Sequence, residues 1–472
     1  MLGRKDTTMT IANIRRLVIS VVIAALPIYS IIVSFRMISE SNGTPLIDSE
    51  SSATALIEDQ EDLLSGSFIV DSLFQQQYDE IDRTSNKERC TRYGFKYRQG
   101  QKKRRLFFGA MVADESYDVI RMHAAEIYGL YHVVALVESN TTHTNTLRNL
   151  RFDKGTEGYE LIHSGIFGPE ASVHLDLYLD DAFGAMEMNR EEIQRQDILK
   201  RWKKAGMRQD DVGVMADMDE VLTRDFLLAA QVCDIPMFRP GQNCHTPRIY
   251  TDTLVFEASP ECVSKYWWYH PDLVIGECIE GIGSPQGRPT PLRKFKGVHG
   301  ERASGWGSNG AEDYPEDVIK NGTYPLANGA DMRTGVSNHG WFAKWEEKYP
   351  HRERRVTAYH FHNFFENKAA LRHKYLTYAH PLGKVPRMKL SDIHKDDLDL
   401  LVRCARDLPN SANAESKKRW EGGYNDYVGS KPIYFQNETY RRVRHAQVKL
   451  MIEEDERQHG SNYPTSTANS TT

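Results

Sequence analysis

The chain has 472 residues, of which 40% are hydrophobic and 26% charged, and its formal net charge is −5. This near balance of charge, with no stripe of basic residues, argues against a nucleic-acid partner. The length is enough for one large domain together with shorter flanking segments.

An uncharged apolar run lies near the start of the chain. Residues 17–35 carry no charged side chain, and about twenty apolar residues suffice to span a bilayer. Basic residues precede this run, and such residues stay on the cytoplasmic side of a membrane. We therefore predict a cytoplasmic tail at 1–16, a transmembrane signal anchor at 17–36 and a luminal remainder. A cleaved signal peptide is the alternative.

Two polar segments flank a predicted luminal domain at 104–457. Residues 37–103 are polar and weakly periodic, which is typical of a stem that holds a domain away from the membrane. Residues 458–472 have the composition of a disordered tail.

The cysteines indicate an oxidising compartment. All six follow the apolar run, and disulfides persist in secreted and luminal proteins. Four of them are close in sequence, namely Cys233, Cys244, Cys262 and Cys278. This spacing predicts local disulfides, but it leaves their connectivity open.

The predicted domain opens with strands and helices in alternation. Residues 106–112 form an apolar strand, residues 117–128 a helix and residues 132–137 a second buried strand. Asn189 has the capping pattern that opens a further helix. Strands alternating with helices predict an α/β fold, with a mostly parallel sheet and helices on both faces.

The run VGVMADMDEV, residues 212–221, joins a buried strand to a group of carboxylates. Asp217, Asp219 and Glu220 follow the strand directly, and ligands of open α/β sheets bind at the carboxyl ends of strands. A hard divalent cation that bridges phosphate oxygens would relieve the repulsion between these carboxylates. An ordinary acidic loop is the alternative. A second Asp-X-Asp pair, Asp397 and Asp399, lies in a predicted surface helix, and we assign it no role.

Three segments together resemble glycosyltransferase family 17. They are VVALVESN at 133–140, Arg190 and Glu191 followed by Gln194 and Arg195, and DDVGVMADMDE at 210–220. The resemblance implies a GT-A-like fold in a single-pass type II protein of the Golgi membrane, with the endoplasmic reticulum as a second possible location. It also implies transfer of N-acetylglucosamine from UDP-GlcNAc, in β1,4 linkage, to a mannose of glycoprotein N-glycans. The implied cofactor is Mn²⁺ or Mg²⁺.

The resemblance is good over residues 105–235 and weak over 236–355. It resumes at the aromatic and histidine run 358–365 and at 371–380, which contains Lys374. The chain has Val221 and Leu222 where the family usually has Ile-Pro. The differing middle region leaves the acceptor open.

The carboxylates after the strand receive specific roles. We expect Asp219 to contact the metal and Asp217 to contact the ribose or a metal-bound water. Glu220 is either a carboxylate that positions its neighbours or an acid at a helix start. Glu138 contacts the nucleotide or caps the next turn.

Basic and histidine side chains complete the predicted site. Arg190 or Arg195 would meet the diphosphate, because arginine gives bidentate contacts, although both could simply be solvated. His360 and His362 lie on one face of a strand-like run, where either could complete the metal shell or pack in the core. Lys374 would bind substrate.

An inverting transfer also needs a general base for the acceptor hydroxyl. Glu312 and Asp313 resemble the Glu-Asp element of many inverting transferases. Asp331, Glu277 and Glu280 are rivals.

Two other functions compete with a transferase. The DMDEV segment also fits the nucleophile motif of haloacid-dehalogenase phosphatases, with Asp217 as nucleophile and Asp219 as acid or base. That motif usually lies on the first strand of its domain, whereas at least two strands precede it here. A non-catalytic glycan-binding Golgi protein is the third interpretation.

Overall fold

The computed structural model describes the body of the chain with several gaps. It covers residues 72–142, 146–179, 187–235, 238, 251, 253–268, 270–283, 287–289, 292–294, 301–303, 324–326, 329, 332, 356–377, 420–422 and 431–459. The predicted anchor at 17–36 lies outside these residues. No helix within the covered ranges is long and apolar enough to cross a membrane.

The strands of the covered ranges, numbered in chain order, form two five-stranded sheets and three two-stranded ones. They are β1 (Lys96–Tyr97), β2 (Leu106–Val112), β3 (Tyr131–Ser139), β4 (Ser172–Tyr178), β5 (Val212–Asp217), β6 (Glu220–Leu222), β7 (Cys233–Asp234), β8 (Thr253–Glu257), β9 (Val263–Trp268), β10 (Asp272–Ile275), β11 (Gly287–Pro289), β12 (Leu292–Lys294), β13 (Glu301–Ala303), β14 (Tyr324–Leu326), β15 (Ala358–His362) and β16 (Trp420–Gly422).

The helices of the same ranges are fewer, and two of them are long. They are α1 (Ser72–Asp82), α2 (Asn86–Arg92), α3 (Tyr117–Ile127), α4 (Glu157–His163), α5 (Glu187–Lys204), α6 (Arg224–Val232), α7 (Lys368–Thr377) and α8 (Glu438–His459). Helix α5 begins at Glu187, so Asn189 lies inside it and the predicted capping role of Asn189 is wrong. Helix α8 ends at His459, just inside the predicted tail.

The main sheet has the order β10-β5-β2-β3-β4. Strands β5, β2, β3 and β4 are parallel, and β10 joins β5 antiparallel at one edge. The apolar runs of β2, β3 and β5 are almost entirely buried, as expected for parallel strands covered on both faces. The predicted parallel-rich α/β sheet is confirmed.

Helices cover both faces of this sheet. A side chain added at Gly213 would collide with Trp202 of α5, and one added at Gly109 would collide with Ile198 of the same helix, so the two glycines let α5 pack closely on one face. Trp202 also donates a hydrogen bond to the carbonyl of Phe108 (2.9 Å). The Phe108 ring points the other way and lies 4.4 Å from the ring of His123 in α3.

The second large sheet has the order β16-β9-β8-β15-β6. Strand β15 is parallel to β8 and antiparallel to β6. Because β6 follows β5 after a two-residue turn, β6 and β15 bring the second sheet directly to the carboxyl edge of the main one. The predicted strand through His360 and His362 is confirmed.

Part of the predicted stem is packed structure. Helices α1 and α2 fall within the stem range 37–103, and Cys90 in α2 is fully buried and disulfide-bonded to Cys233. The bond spans 143 residues, so the expectation of a local partner for Cys233 is wrong. The cause lies in β1 and β7, whose antiparallel pairing brings the two distant segments together.

Candidate active site

The candidate site lies where β5 ends. Asp217 is the last residue of β5, level with Met111 of the neighbouring strand β2. The chain then turns through Met218 and Asp219 into β6. The amide of Phe361 in β15 donates a hydrogen bond of 2.7 Å to the carbonyl of Asp219, which ties this turn to the second sheet.

Asp219 forms a buried ion pair with His360. His360 Nε2 lies 3.4 Å from Asp219 Oδ2, and the side chains are 9% and 15% exposed. Burial favours the neutral form of each group, but their attraction outweighs it: the pKa of Asp219 is lowered, with Lys374 assisting, and the pKa of His360 is raised. Asp219 is therefore a carboxylate at neutral pH.

Asp217 is held by a different cation. Arg195 Nη2 lies 2.9 Å from Asp217 Oδ1 and 2.6 Å from Glu191 Oε1. The Arg195 side chain is 2% exposed and that of Asp217 36% exposed. The helical spacing of Glu191 and Arg195 and the end of β5 thus place a buried guanidinium beside the outer carboxylate.

Glu220 supports the turn from within. Its side chain is buried, and Glu220 Oε2 accepts a hydrogen bond of 3.1 Å from the amide of Asp217. Glu220 belongs to strand β6, and the following helix is capped by Thr223. The alternative that Glu220 is an acid at a helix start is wrong. Its hydrogen bond with the amide of Asp217 instead holds the neighbouring Asp217 in position.

His362 is oriented by a buried carboxylate. His362 Nδ1 lies 2.8 Å from Glu257 Oε2, and the amide of the Asn363 side chain donates to Glu257 Oε1 at 2.5 Å. His362 and Glu257 face each other in the parallel pair β15–β8. Because Nδ1 is turned to Glu257, Nε2 is the ring nitrogen that faces away from this carboxylate.

Strained backbone follows both members of this pair. Ala258 has φ 56° and Asn363 has φ 60°, a region that residues other than glycine seldom adopt. A hydrogen bond from the amide of Ala258 to the carbonyl of His362 (2.7 Å) holds the two turns together. Strained backbone of this kind clusters at functional sites.

Lys374 in α7 adds positive charge to the same region. Lys374 Nζ lies 3.4 Å from Asn363 Oδ1, and its charge helps to lower the pKa of Asp219. Lys374 therefore lies near enough to Asp219 to act on its charge.

Glu138 has a structural role in this structure. It is fully buried, Arg148 Nη2 donates to its Oε1 at 2.7 Å, and the amides of Arg151 and Phe152 donate at 2.6 and 2.9 Å. Burial raises the pKa of this carboxyl even so. Between the two predicted roles, the contacts support the cap of the following turn rather than the nucleotide contact.

Arg190 is buried rather than solvated. It is 2% exposed, and Arg190 Nη1 donates to the carbonyl of Thr142 at 3.0 Å. Thr142 lies shortly after β3, so Arg190 connects α5 to the loop at the carboxyl edge.

Sequence reasoning missed Glu115. It follows β2 at the carboxyl edge, and its Oε2 accepts a hydrogen bond of 2.6 Å from the amide of Ala113. Burial, and then the charge of Asp219, raise the pKa of Glu115 to about 7. The available signal was its position directly after the first strand of a parallel sheet. Glu257 was also missed, and the corresponding signal was its position at the end of strand β8.

The predicted metal ligands are already engaged with protein partners. Asp217 contacts Arg195, Asp219 contacts His360, and His362 contacts Glu257. Within the covered ranges, no group of three or more His, Cys, Asp or Glu side chains is arranged to hold a metal ion. The donor set suits a cation that is held by one or two carboxylates and otherwise by phosphates and water.

The predicted catalytic bases divide into two groups. Glu312, Asp313 and Asp331 lie outside the described residues. Glu277 and Glu280 lie at the opposite edge of the main sheet: the amide of Glu277 donates to the carbonyl of Gln209 (2.9 Å), ahead of β5. That position separates these two rivals from Asp219 by the length of a strand.

The fold and this edge define an α/β protein with a carboxylate, histidine and arginine cluster at the end of a parallel strand. Residues 74–239 match the model of Glycosyltransferase family 17, and the match confirms the family resemblance. No curated protein matches the chain. The matched range contains Glu115, Asp217 and Asp219 but not His360 and His362 of the second sheet, and it supports a glycosyltransferase.

Proposed function

We propose that the chain transfers N-acetylglucosamine from UDP-GlcNAc, in β1,4 linkage, to a mannose of glycoprotein N-glycans. The observation that carries the proposal is Asp219, a buried carboxylate kept charged at the end of β5 by His360. The family match over residues 74–239 supports the transferase class. The donor and the linkage follow from the resemblance to the family.

The cations of the site suit a diphosphate leaving group. Breaking the bond to the sugar places negative charge on the departing phosphate, and fixed positive groups stabilise that charge. Arg195 is buried beside Asp217, and Lys374 acts on Asp219 from α7. Arg195 belongs to α5 and Lys374 to α7, so two separate helices supply these charges.

Glu115 is our candidate for the base that removes the acceptor proton. A general base works best when its pKa is near the working pH, and the pKa of Glu115 is about 7. In this role its carboxylate would take the proton of the attacking hydroxyl. Asp313 and Glu312 remain candidates for the same step.

A divalent cation, Mn²⁺ or Mg²⁺, belongs to the proposal. When bound, it would supply charge stabilisation to the diphosphate. Asp219 and Asp217 would hold it together with phosphate oxygens, and His362, whose Nδ1 is turned to Glu257, would offer Nε2. His360 is the weaker ligand candidate because it is paired with Asp219.

The proposed setting is the Golgi membrane, with the chain as a single-pass type II protein. The apolar run at 17–35 and the basic residues before it support this topology. Protease protection in sealed microsomes tests it, because a luminal C-terminus is digested only after detergent is added.

The direct test of the proposed function is donor binding followed by transfer. UDP-GlcNAc is titrated into the purified full-length chain by calorimetry in the presence of Mn²⁺ and again in EDTA. Transfer to a mannose-terminated N-glycan is then measured by mass spectrometry. We expect binding that requires the cation and a product heavier by one N-acetylhexosamine.

Three outcomes would count against parts of the proposal. Undiminished binding in EDTA would contradict the metal site, and preference for another UDP-sugar would replace the donor. Release of inorganic phosphate from a phosphomonoester, without sugar transfer, would favour the phosphatase alternative, in which Asp217 is the nucleophile. The contact of Asp217 with Arg195 does not by itself favour that alternative.

A further inference from the structure

A polar cavity lies at the amino edge of the main sheet, opposite the candidate active site. It has a volume of about 590 Å³ and contains six charged residues in its wall, namely Lys96, Arg98, Arg104, Asp210, Asp234 and Glu277. Its size falls within the ~300–1,000 Å³ of small-molecule sites. Asp210 lies two residues ahead of β5, and Asp217 ends it, so the six residues of this strand, roughly 20 Å at ~3.3 Å per residue, separate the two.

The cavity wall is held in place by its own contacts. Arg98 Nη2 donates to both carboxylate oxygens of Asp210 at 3.1 Å, and Arg98 Nε donates to Gln101 Oε1 at 2.5 Å. Arg104 donates to the carbonyls of Ala230 and Cys233. Groups fixed in this way lose little conformational entropy when a ligand binds.

A disulfide secures the base of the same wall. Cys233 is bonded to Cys90 and begins β7, which pairs with β1 through Lys96 and Tyr97. The two segments that contribute Tyr97 and Asp234 to the cavity are therefore joined by backbone hydrogen bonds and by a covalent bond.

The charges of the cavity select against an ionic ligand. Three cations face three carboxylates, so a phosphate or a nucleotide would meet as much repulsion as attraction. The three glutamines of the wall offer donors and acceptors without charge. This mixture suits a ligand whose groups both donate and accept hydrogen bonds, and hydroxyl groups do so.

Tyr97 adds an exposed aromatic face. Its side chain is 38% exposed and belongs to the cavity wall. The C–H groups on one face of a pyranose ring pack well on such a surface, while the ring hydroxyls reach polar neighbours. An aromatic ring beside planar amide, carboxylate and guanidinium groups therefore matches a sugar better than it matches a lipid or a peptide.

We propose that this cavity binds a neutral oligosaccharide, as a glycan-binding site separate from the site of transfer. The ligand would stack on Tyr97 and form hydrogen bonds with Gln209, Asp210 and Glu277. The inference does not depend on the transferase activity, because it rests on the wall of the cavity alone. A site of this kind would hold a glycoprotein by a sugar other than the one that reacts.

Saturation-transfer NMR on the full-length chain tests the inference with chitobiose (N,N′-diacetylated), mannobiose and lactose as neutral probes. Sialyllactose and UMP serve as anionic comparators. We expect at least one neutral probe to bind, and we expect Tyr97→Ala and Gln209→Ala each to weaken it by about tenfold. Tyr97→Trp keeps an aromatic face and should restore binding.

Matched variants separate this site from the active site. Both altered side chains are exposed, so melting temperature should be unchanged, which the same samples can verify. Asp219→Ala should retain the Tyr97-dependent binding, even if the proposed transferase function is wrong. Binding that is equal in wild type, Tyr97→Ala and Gln209→Ala would overturn the inference, as would binding of UMP in place of every neutral probe.

Discussion

Asp219 and Asp210 mark the two edges of one sheet and show what burial does to a carboxylate. Asp219 is 15% exposed and paired with His360, and the pair shifts both pKa values. Asp210 is 59% exposed and is shared by Arg98 and Arg104. One edge therefore has a buried aspartate whose charge depends on a single histidine partner, and the other has an exposed aspartate that forms ion pairs with two arginines.

This contrast has a physical cause in the topology. At the carboxyl edge the turn after β5 is tied to β15 of the second sheet and lies near Lys374, so Asp219 is largely removed from water and acts on its neighbours through a medium of low dielectric constant. At the amino edge the cavity admits water, which screens the ion pairs. Chemistry that depends on charge belongs at the first edge, whereas recognition by hydrogen bonds suits the second.

The largest expected effect separates the two aspartates. Asp219→Ala should lower the proposed transfer rate by about a thousandfold, because it removes the charge that holds His360 and the cation. Asp219→Asn should be nearly as damaging, since it keeps the shape but not the charge. Transfer rate and melting temperature are measured together for each variant.

Asp210→Ala is the matched control. It removes a carboxylate that lies just ahead of β5, at the solvated edge. With a short free glycan as acceptor, which cannot occupy both edges of the sheet at once, we expect less than a twofold change in transfer rate, because exposed ion pairs contribute little. Equal losses in Asp219→Ala and Asp210→Ala would contradict the placement of the site at the carboxyl edge. Asp397→Ala, outside the described residues, should also be nearly silent.

A smaller effect is expected from Glu257. Glu257→Gln removes the carboxylate that receives His362 Nδ1–H, so the ring loses its preference for the tautomer with Nε2 unprotonated. Loss of such a partner typically lowers metal affinity or activity by about 10–100-fold. Titration of Mn²⁺ by electron paramagnetic resonance, with transfer kinetics alongside, measures both quantities.

Glu280→Gln controls for the change of a glutamate as such. Glu280 lies at the opposite edge, and burial raises its pKa as well, yet we assign it no contact with the site. Its replacement should leave Mn²⁺ affinity unchanged. An equal loss of affinity in Glu257→Gln and Glu280→Gln would show that Glu257 acts only through stability.

Much of the main sheet could be predicted from sequence because its strands are buried on both faces. Strand β2 has the predicted bounds, 106–112, and helix α3 differs from its predicted range by one residue. The continuous apolar run of β2 and the helical spacing of apolar residues in α3 both follow from the burial of these side chains. The predicted capping role of Asn189 is wrong because α5 extends beyond the local cap to Glu187.

The partners within the site were much less predictable. Asp217, Asp219 and Glu220 could be located because they follow a buried strand in sequence. Glu257 lies more than one hundred residues from its partner His362, and their meeting depends on the parallel pairing of β8 and β15. Such pairing leaves no local pattern, and the bond between Cys90 and Cys233 escaped prediction for the same reason.

Glu115 and Glu126 provide the last and subtlest comparison. Burial raises the pKa of each to about 7. Glu115 lies at the carboxyl edge near the charge of Asp219, whereas Glu126 accepts hydrogen bonds from the amides of Ile433 (2.5 Å) and Arg224 (3.3 Å). Two carboxyls with similar pKa values thus differ in whether they can meet a substrate.

Glu115→Gln should change the pH dependence of the transfer rate. If Glu115 is the base, its carboxylate is the active form, so the wild-type rate should rise as the pH increases through about 7. The variant should be slower and should lack that rise. A rate that keeps the same rise in Glu115→Gln would assign the base to another residue, such as Asp313 or Glu312.

Glu126→Gln should instead change the pH dependence of stability. The unfolded chain releases this proton near the ordinary pKa of 4.5, while the folded chain keeps it until about 7. Between these values the folded state binds more protons, so the free energy of unfolding should fall as pH rises. The variant should be less stable throughout, because an amide cannot accept both hydrogen bonds, but its stability should vary less over this window. Melting temperatures from pH 4.5 to 8 measure the difference, and a transfer rate that still rises through pH 7 in Glu126→Gln would exclude Glu126 as the source of the catalytic titration.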